Sequence, residues 1–299
     1  MMLNRRILRI KVFKTVYAYA ENRDMTLKEA SSYFNRSCEA VGDLYLFMLE
    51  LIPALTAEAR SRMEAARSKF RPSEEELHPN MKFIENALSP RLSEDPDFTK
   101  IISRKKFSWD QYDVFLRRLF DTVRSRQYYL DYMADAERSV AADAALFARI
   151  FSEELEDDAD LAAIVEDMSI LWADDISYAL IQCCKTIESL GRGSAWNMPE
   201  LISDENAAYA RNHLTKAYNN FAEYRERISR GSANWDDDRL FNVDVALIVC
   251  GLAEYMAFPD TPKGVIINEY VEISKFYSTP RSHAFVNGVL DELMKTESV

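Results

Sequence analysis

Turn-forming residues are scarce in this chain, which has seven glycines and nine prolines in 299 residues. So few breaks disfavour a fold of many short strands and favour an all-α one. Cysteine is scarce as well. Cys38, Cys183, Cys184 and Cys250 form no CxxC pair, and the adjacent pair at 183–184 is a poor chelate. That pattern points to reduced, mostly buried thiols rather than a disulfide framework or a metal site. The three histidines, His78, His213 and His283, show no HExxH or HxH spacing, and the chain has no GxSxG, phosphate loop or GxGxxG. The expectation is therefore a protein that is not an enzyme and holds no metal or cofactor.

Long apolar runs are missing too. No uninterrupted stretch approaches the ~20 residues of a membrane-spanning helix. The first residues are basic and then apolar, like a signal peptide, but Lys11 and Lys14 interrupt the run and the AYAEN that follows is a weak cleavage match. This segment reads as the first helix of a cytoplasmic protein with no membrane association.

What the chain does contain is Leu, Ala, Glu, Lys, Arg and Met in long stretches without sustained β-branched alternation, enough for one large or two ordinary domains. The net charge of −12 excludes a protein whose whole surface grips nucleic acid, since phosphate binding needs clustered cations. Against that acidity, the first helix, expected from about Asn4 to Ala20, carries Arg5, Arg6, Arg9, Lys11 and Lys14. This local reversal of sign is a functional hint.

Further helices follow from periodicity and start signals. Thr26-Leu27-Lys28-Glu29 is a capping box. A long helix is expected from about Ser37 to Phe70 with a kink at Pro53, and an irregular connector from Arg71 to Pro96 with a short helix near Met81–Leu88. Helices are expected near 112–133, 140–155 and 161–190, with the acidic SEELEDDAD as a solvated turn between the last two. Gly191, Gly193 and Pro199 mark a boundary. Four helices are expected beyond it, near 204–229, 236–256, 262–277 and 280–295. Asn234, Asp236 and Asp237 would start the second, and Thr-Pro pairs at 261–262 and 279–280 the last two.

One dipeptide resists this pattern. Asn287-Gly288 within HAFVNGVLD is a strong hairpin signal, yet Phe285, Val286, Val289, Leu290 and Leu293 recur at helical spacing. A mid-helix glycine costs about 1 kcal/mol relative to alanine. The expectation is that Gly288 admits a neighbouring helix in the core, and that bulkier residues there overpack the contact.

The segment INEYVEISKFYSTPRSHAFVNGVLDEL, 267–293, closely resembles the C-terminal signature of the bacterial NusB family, in which an INE helix precedes an SHxFVNGVLD helix. FNVDVALIVCGLAEYM resembles that family's preceding core helix, DTPKGVIINE its connection onward, and Arg5-Arg6-Ile7-Leu8-Arg9 with Tyr17 its arginine-rich first helix. The resemblance covers about 1–22 and 203–299. It implies an all-α, NusB-like helical bundle divided as a first helix at 1–22, an inserted helical region at 23–202 and C-terminal helices at 203–299.

The function implied is transcription antitermination: binding of boxA-type single-stranded RNA with NusE, a small-subunit ribosomal protein, within the transcription elongation complex of ribosomal RNA operons. Carried onto this chain, the resemblance makes Arg5, Arg6 and Arg9 phosphate contacts, and His283 and Phe285 an RNA-facing edge. Glu254 becomes a NusE contact, and Asn287 and Gly288 structural residues of the last helix. Phe285 equally fits an apolar core stripe. The chain departs from the pattern at Val249, where many relatives carry arginine, and at Arg281, where the usual residue is acidic. Two other readings remain open: an interaction scaffold that keeps the fold without boxA recognition, and the NusB-like accessory domain of an RNA methyltransferase, for which the chain leaves no room for a cofactor-binding domain.

Overall fold

The computed structural model describes residues 2–231 and 241–296. Every regular element among them is helical. In chain order these are α1 (Arg5–Glu21), α2 (Leu27–Leu49), α3 (Leu51–Arg67), α4 (Glu74–Leu77), α5 (Leu88–Ser93), α6 (Pro96–Lys105), a 3-10 turn (Asp110–Tyr112), α7 (Asp113–Ser125), α8 (Gln127–Ala134) and α9 (Val140–Glu153). They continue as α10 (Ala159–Met168), α11 (Ile176–Gly191), α12 (Asp204–Asn219), α13 (Phe221–Gly231), α14 (Asn242–Ala257), α15 (Lys263–Tyr277) and α16 (Ser282–Thr296). The chain divides into two compact units, one of residues 1–39 with 200–299 and one of 40–199.

The first unit is built around α14. Its residues from Asp244 to Glu254 are buried without interruption, so this helix is apolar all round, as a central helix must be. Helices α1, α12, α13, α15 and α16 pack against it. Val245, Leu247, Ile248, Val249 and Leu252 are inaccessible to solvent, and each contributes on the order of 1.5–3 kcal/mol through burial. Two caps set the entry of the flanking helices. Asn4 accepts a hydrogen bond from Ile7 N at 3.0 Å to start α1, and Ser203 accepts from Asn206 N at 3.3 Å to start α12. The residues ahead of α1 pair with those ahead of α12: Met2 N donates to Glu200 O at 2.7 Å and Leu3 N to Leu201 O at 2.8 Å. Asn206 Nδ2 adds a bond to Leu3 O at 3.2 Å, which ties the two helix starts together.

A close helix approach in this bundle falls at Gly251. A Cβ on Gly251 would lie 2.8 Å from Leu290 Cδ2 and 3.3 Å from the Tyr270 ring, so a side chain there would require the buried Leu290 to shift between α14, α15 and α16. Gly288 is half-buried and Asn287 exposed. The turn between α15 and α16 is held from below, since Ser278 Oγ and Ser282 Oγ donate to the two oxygens of the buried Asp244 carboxylate at 2.7 and 2.9 Å. Helix α16 therefore begins at Ser282 rather than at Pro280.

The second unit pairs α9 with α11 and sets α3 against α5 and α7. Its core holds an aromatic cluster in which Phe47 stacks on Trp109 at 4.3 Å and Trp109 on Phe115 at 5.4 Å, with the Trp109 indole N–H donating to Phe47 O at 3.0 Å. The Thr26–Glu29 capping box is present, and the helix it opens runs through Ser37 without a break. That helix ends at Leu49, ahead of Pro53, because the proline ring clashes with the carbonyl four residues back. The helices expected at 112–133 and 161–190 are each split, at Arg126 and at 169–175, and the one expected at 204–229 is split at Asn220. Asn234, Asp236 and Asp237 lie outside the described residues; α14 starts at Asn242. One stretch, Leu27–Arg67, is long and apolar enough by composition to cross a membrane, but 72% of its most apolar window is buried within the protein, as in a core helix.

Candidate functional site

The three arginines of α1 meet three different environments. Arg5 is half-exposed. Its guanidinium bonds Glu205 at 2.7 Å and lies 4.9 Å from the Tyr209 ring centroid. Arg6 is likewise half-exposed, with Glu269 at 3.5 Å as its nearest acid. Arg9 is only 6% exposed. Its Nε donates to Glu254 Oε2 at 2.9 Å and its Nη2 to Oε1 at 2.7 Å, a two-pronged pair in which the carboxylate is 0% exposed.

Two expectations are corrected by this pair. Arg9 is buried rather than exposed to an RNA strand, because its guanidinium is paired with Glu254 of the central helix and lies 3.4 Å from Glu269 of α15. Glu254 is not a surface for a partner, because it is the counter-ion of Arg9. Burial works against the Arg9 charge, but the hydrogen bonds and attraction of Glu254 outweigh it and hold its pKa above the ordinary arginine value. Burial likewise pushes the Glu254 carboxyl up, and the Arg9 hydrogen bonds reverse that and leave it below the usual range.

The pair continues into a chain of hydrogen bonds. Tyr270 Oη donates to Glu254 Oε2 at 3.0 Å and lies 3.2 Å from His213 Nε2, which is 2.9 Å from the Cys250 carbonyl. A carbonyl only accepts, so His213 carries its proton on Nε2. Its Nδ1 is buried without a hydrogen-bond partner, and burial lowers the ring's pKa, so the imidazole is neutral.

Phe285 is 3% exposed and belongs to the core stripe of α16, which corrects its place on an RNA-facing edge. His283, two residues earlier, is exposed. Sequence spacing placed Arg5, Arg6 and Arg9 along one strand; the structure separates them, with Arg5 toward α12, Arg6 toward α15 and Arg9 inside.

A surface cluster that sequence reasoning missed lies around Glu272 on α15. Its carboxyl is held below the usual range first by a hydrogen bond from Lys275 and then by attraction from Arg6 and His283. Arg6 of α1, Lys275 of α15 and the exposed His283 of α16 thus lie near one carboxylate. Nearby, the Lys14 ammonium lies 5.3 Å from the Tyr277 centroid, and Tyr277 packs at 5.4 Å on Phe13. The available signal was the position of Lys275 and Phe276 off the apolar stripe of α15, together with Arg281 and His283 just beyond. Among the described residues, no group of three or more His, Cys, Asp or Glu side chains is placed to hold a metal ion.

What the fold and this surface define is an all-α helical bundle with a buried ion pair in its core and basic side chains of α1 and α15 at its surface. A family model described as the NusB family matches residues 191–295. The chain is 34% identical over 111 residues to the transcription antitermination protein NusB of Geobacter sulfurreducens, covering 35% of this chain and 80% of that one. It is 33% identical over 94 residues to the same-named protein of Natranaerobius thermophilus, covering 31% and 68%. With that of Methylacidiphilum infernorum it shares 46% identity over 70 residues, 23% and 49% of the two chains. No solved structure matches. The chain belongs to the NusB family, with an all-α NusB-like fold and extra sequence that fits an insertion.

Proposed function

We propose that this protein is a transcription antitermination factor that binds boxA-type single-stranded RNA together with NusE in the cytoplasmic transcription elongation complex. The observation that supports the reading is the placement of Arg6 of α1 3.5 Å from Glu269 of α15, with Lys275 exposed further along α15, His283 exposed at the start of α16 and Arg5 exposed on α1. Cations on a rigid helical scaffold position phosphates, and exposed ring edges read unstacked bases. Residues 23–202 are read as an insertion into the NusB bundle, its compact part being 40–199. The net charge of −12 implies weak RNA affinity for the chain alone and a requirement for basic surface from NusE.

A second reading, a scaffold that keeps the fold without boxA recognition, is favoured by one observation: each of the three α1 arginines already faces a carboxylate. The deciding test is fluorescence anisotropy with boxA and scrambled RNA at two salt concentrations, with and without NusE. The Arg5→Ala/Arg6→Ala variant is compared with wild type, Arg9 being left intact because it holds the core. Selective, NusE-enhanced binding, with a salt slope shallower in the variant by roughly 0.7 per lost phosphate contact, supports antitermination. Absence of boxA preference with NusE present makes the scaffold the better account.

A further inference from the structure

We propose that Phe276 is a stacking platform for one unpaired base of the bound single-stranded RNA, an assignment that rests on the RNA reading above. Helix α15 buries Ile266, Ile267, Tyr270, Ile273 and Ser274, a stripe that Phe276 does not join. Its ring is 76% exposed, so it contributes little to the core while presenting a large apolar face to solvent. An exposed ring alone carries no function. Its setting does.

Phe276 lies one turn beyond Glu272 on the same helix face, Lys275 bonds Glu272, and Arg6 of α1 reaches Glu269, one turn earlier, at 3.5 Å. The next residue, Tyr277, is anchored by its contact with Phe13 and covered by the Lys14 ammonium. That anchor fixes the last turn of α15 and so holds Phe276 in place without burying it. The two residues that follow the turn into α16, Arg281 and His283, are exposed as well.

An exposed aromatic face on a helix end whose neighbouring surface carries Lys275, Arg281 and, one element away, Arg6 suits a ligand that alternates a flat ring with a negative charge, which is the chemistry of a single-stranded nucleic acid. An apolar protein partner would call for apolar neighbours, and the exposed positions around Phe276 are Lys275, Thr279, Pro280 and Arg281. The cations hold phosphates on either side, and the ring takes the base between them.

The test uses the full chain with NusE and boxA-type RNA in fluorescence anisotropy, with Phe276→Ala, Phe276→Leu and Phe276→Trp, and a series of RNAs each carrying one abasic nucleotide. Base stacking on an aromatic implies that Phe276→Ala and Phe276→Leu weaken binding about 5- to 100-fold with an unchanged salt slope, while Phe276→Trp binds as wild type does. One abasic position should weaken wild type by a similar factor and leave Phe276→Ala no weaker. Wild-type affinity in Phe276→Ala, full retention in Phe276→Leu, or a loss confined to NusE affinity overturns the assignment while leaving the RNA reading standing. Absence of boxA preference in wild type overturns both.

Discussion

Arg9 and Glu254 stand 245 residues apart in the chain and meet in the core through paired hydrogen bonds of 2.9 and 2.7 Å. The pair joins the first helix to the central one, and Tyr270 extends it toward His213. Because both charges are out of water, removing one strands the other. Arg9→Ala or Glu254→Ala should therefore cost on the order of 3–5 kcal/mol, whereas Arg5→Ala, which breaks an exposed pair, should stay within about 1 kcal/mol. Urea denaturation followed by circular dichroism separates these outcomes. Equal small losses at positions 5 and 9 would contradict the buried pair.

His213 makes the first unit sensitive to mild acid. Burial lowers its pKa below the ordinary 6.5, so the unfolded chain takes up a proton before the folded protein does. The stability that depends on a neutral ring is fully present above pH 6.5 and is lost as pH falls below it. Urea midpoints measured from pH 7.5 to 5 should decline for wild type and decline less for His213→Gln, whose amide can still donate to the Cys250 carbonyl. A second decline belongs to Glu254. Its carboxyl sits below the ordinary 4.5, so the stability from its charge is lost as pH falls below that value in both proteins.

At Gly251 the bundle leaves little room for a side chain. A valine there drives into Leu290 and Tyr270, both fully buried and unable to yield into solvent. The expected loss is about 1–3 kcal/mol. Gly264→Ala, in an exposed part of α15 with no atom within 4 Å of the new Cβ, is the matched control and should cost nothing. Thermal melts of the two variants decide it.

The second unit carries an opposite pH dependence. Burial, with the nearby Asp110 charge, pushes the Glu50 carboxyl up to about 7 from an ordinary 4.5. A raised carboxyl favours the fold below the unfolded value, so that stability is lost as pH rises from 4.5 through about 7. Glu50→Gln should flatten the decline between pH 5 and 8, read by hydrogen exchange at α3 and the 3-10 turn.

Most of the helices were legible as helices because their signals are local. The Thr26–Glu29 box caps where it was expected, and Ser203 with Asp204 and Glu205 opens α12. Their lengths were less legible. Whether α2 continues past Ser37, or a run near 112–133 breaks at Arg126, depends on what each face packs against. The candidate site was half legible. His283 is exposed, and Arg5 and Arg6 are half-exposed, as an RNA contact requires, but Arg9, Glu254 and Phe285 were assigned to surfaces and lie in the core.

The amino-acid sequence by itself determined an all-helical chain, a basic first helix on an acidic protein, the caps that start its helices and the C-terminal signature of its family. These rest on spacing within a few residues, which the chain carries wherever it folds. Only the tertiary structure decided which arginine became core and which stayed in water. An arginine's charge is the same at positions 5, 6 and 9; its fate depends on the helix face turned to α14, and on an acid that the chain supplies 245 residues later. The same holds for the glycines. A close approach falls at Gly251, which carries no local signal, because overlap between helices is set by three-dimensional packing and leaves no mark in the nearby sequence.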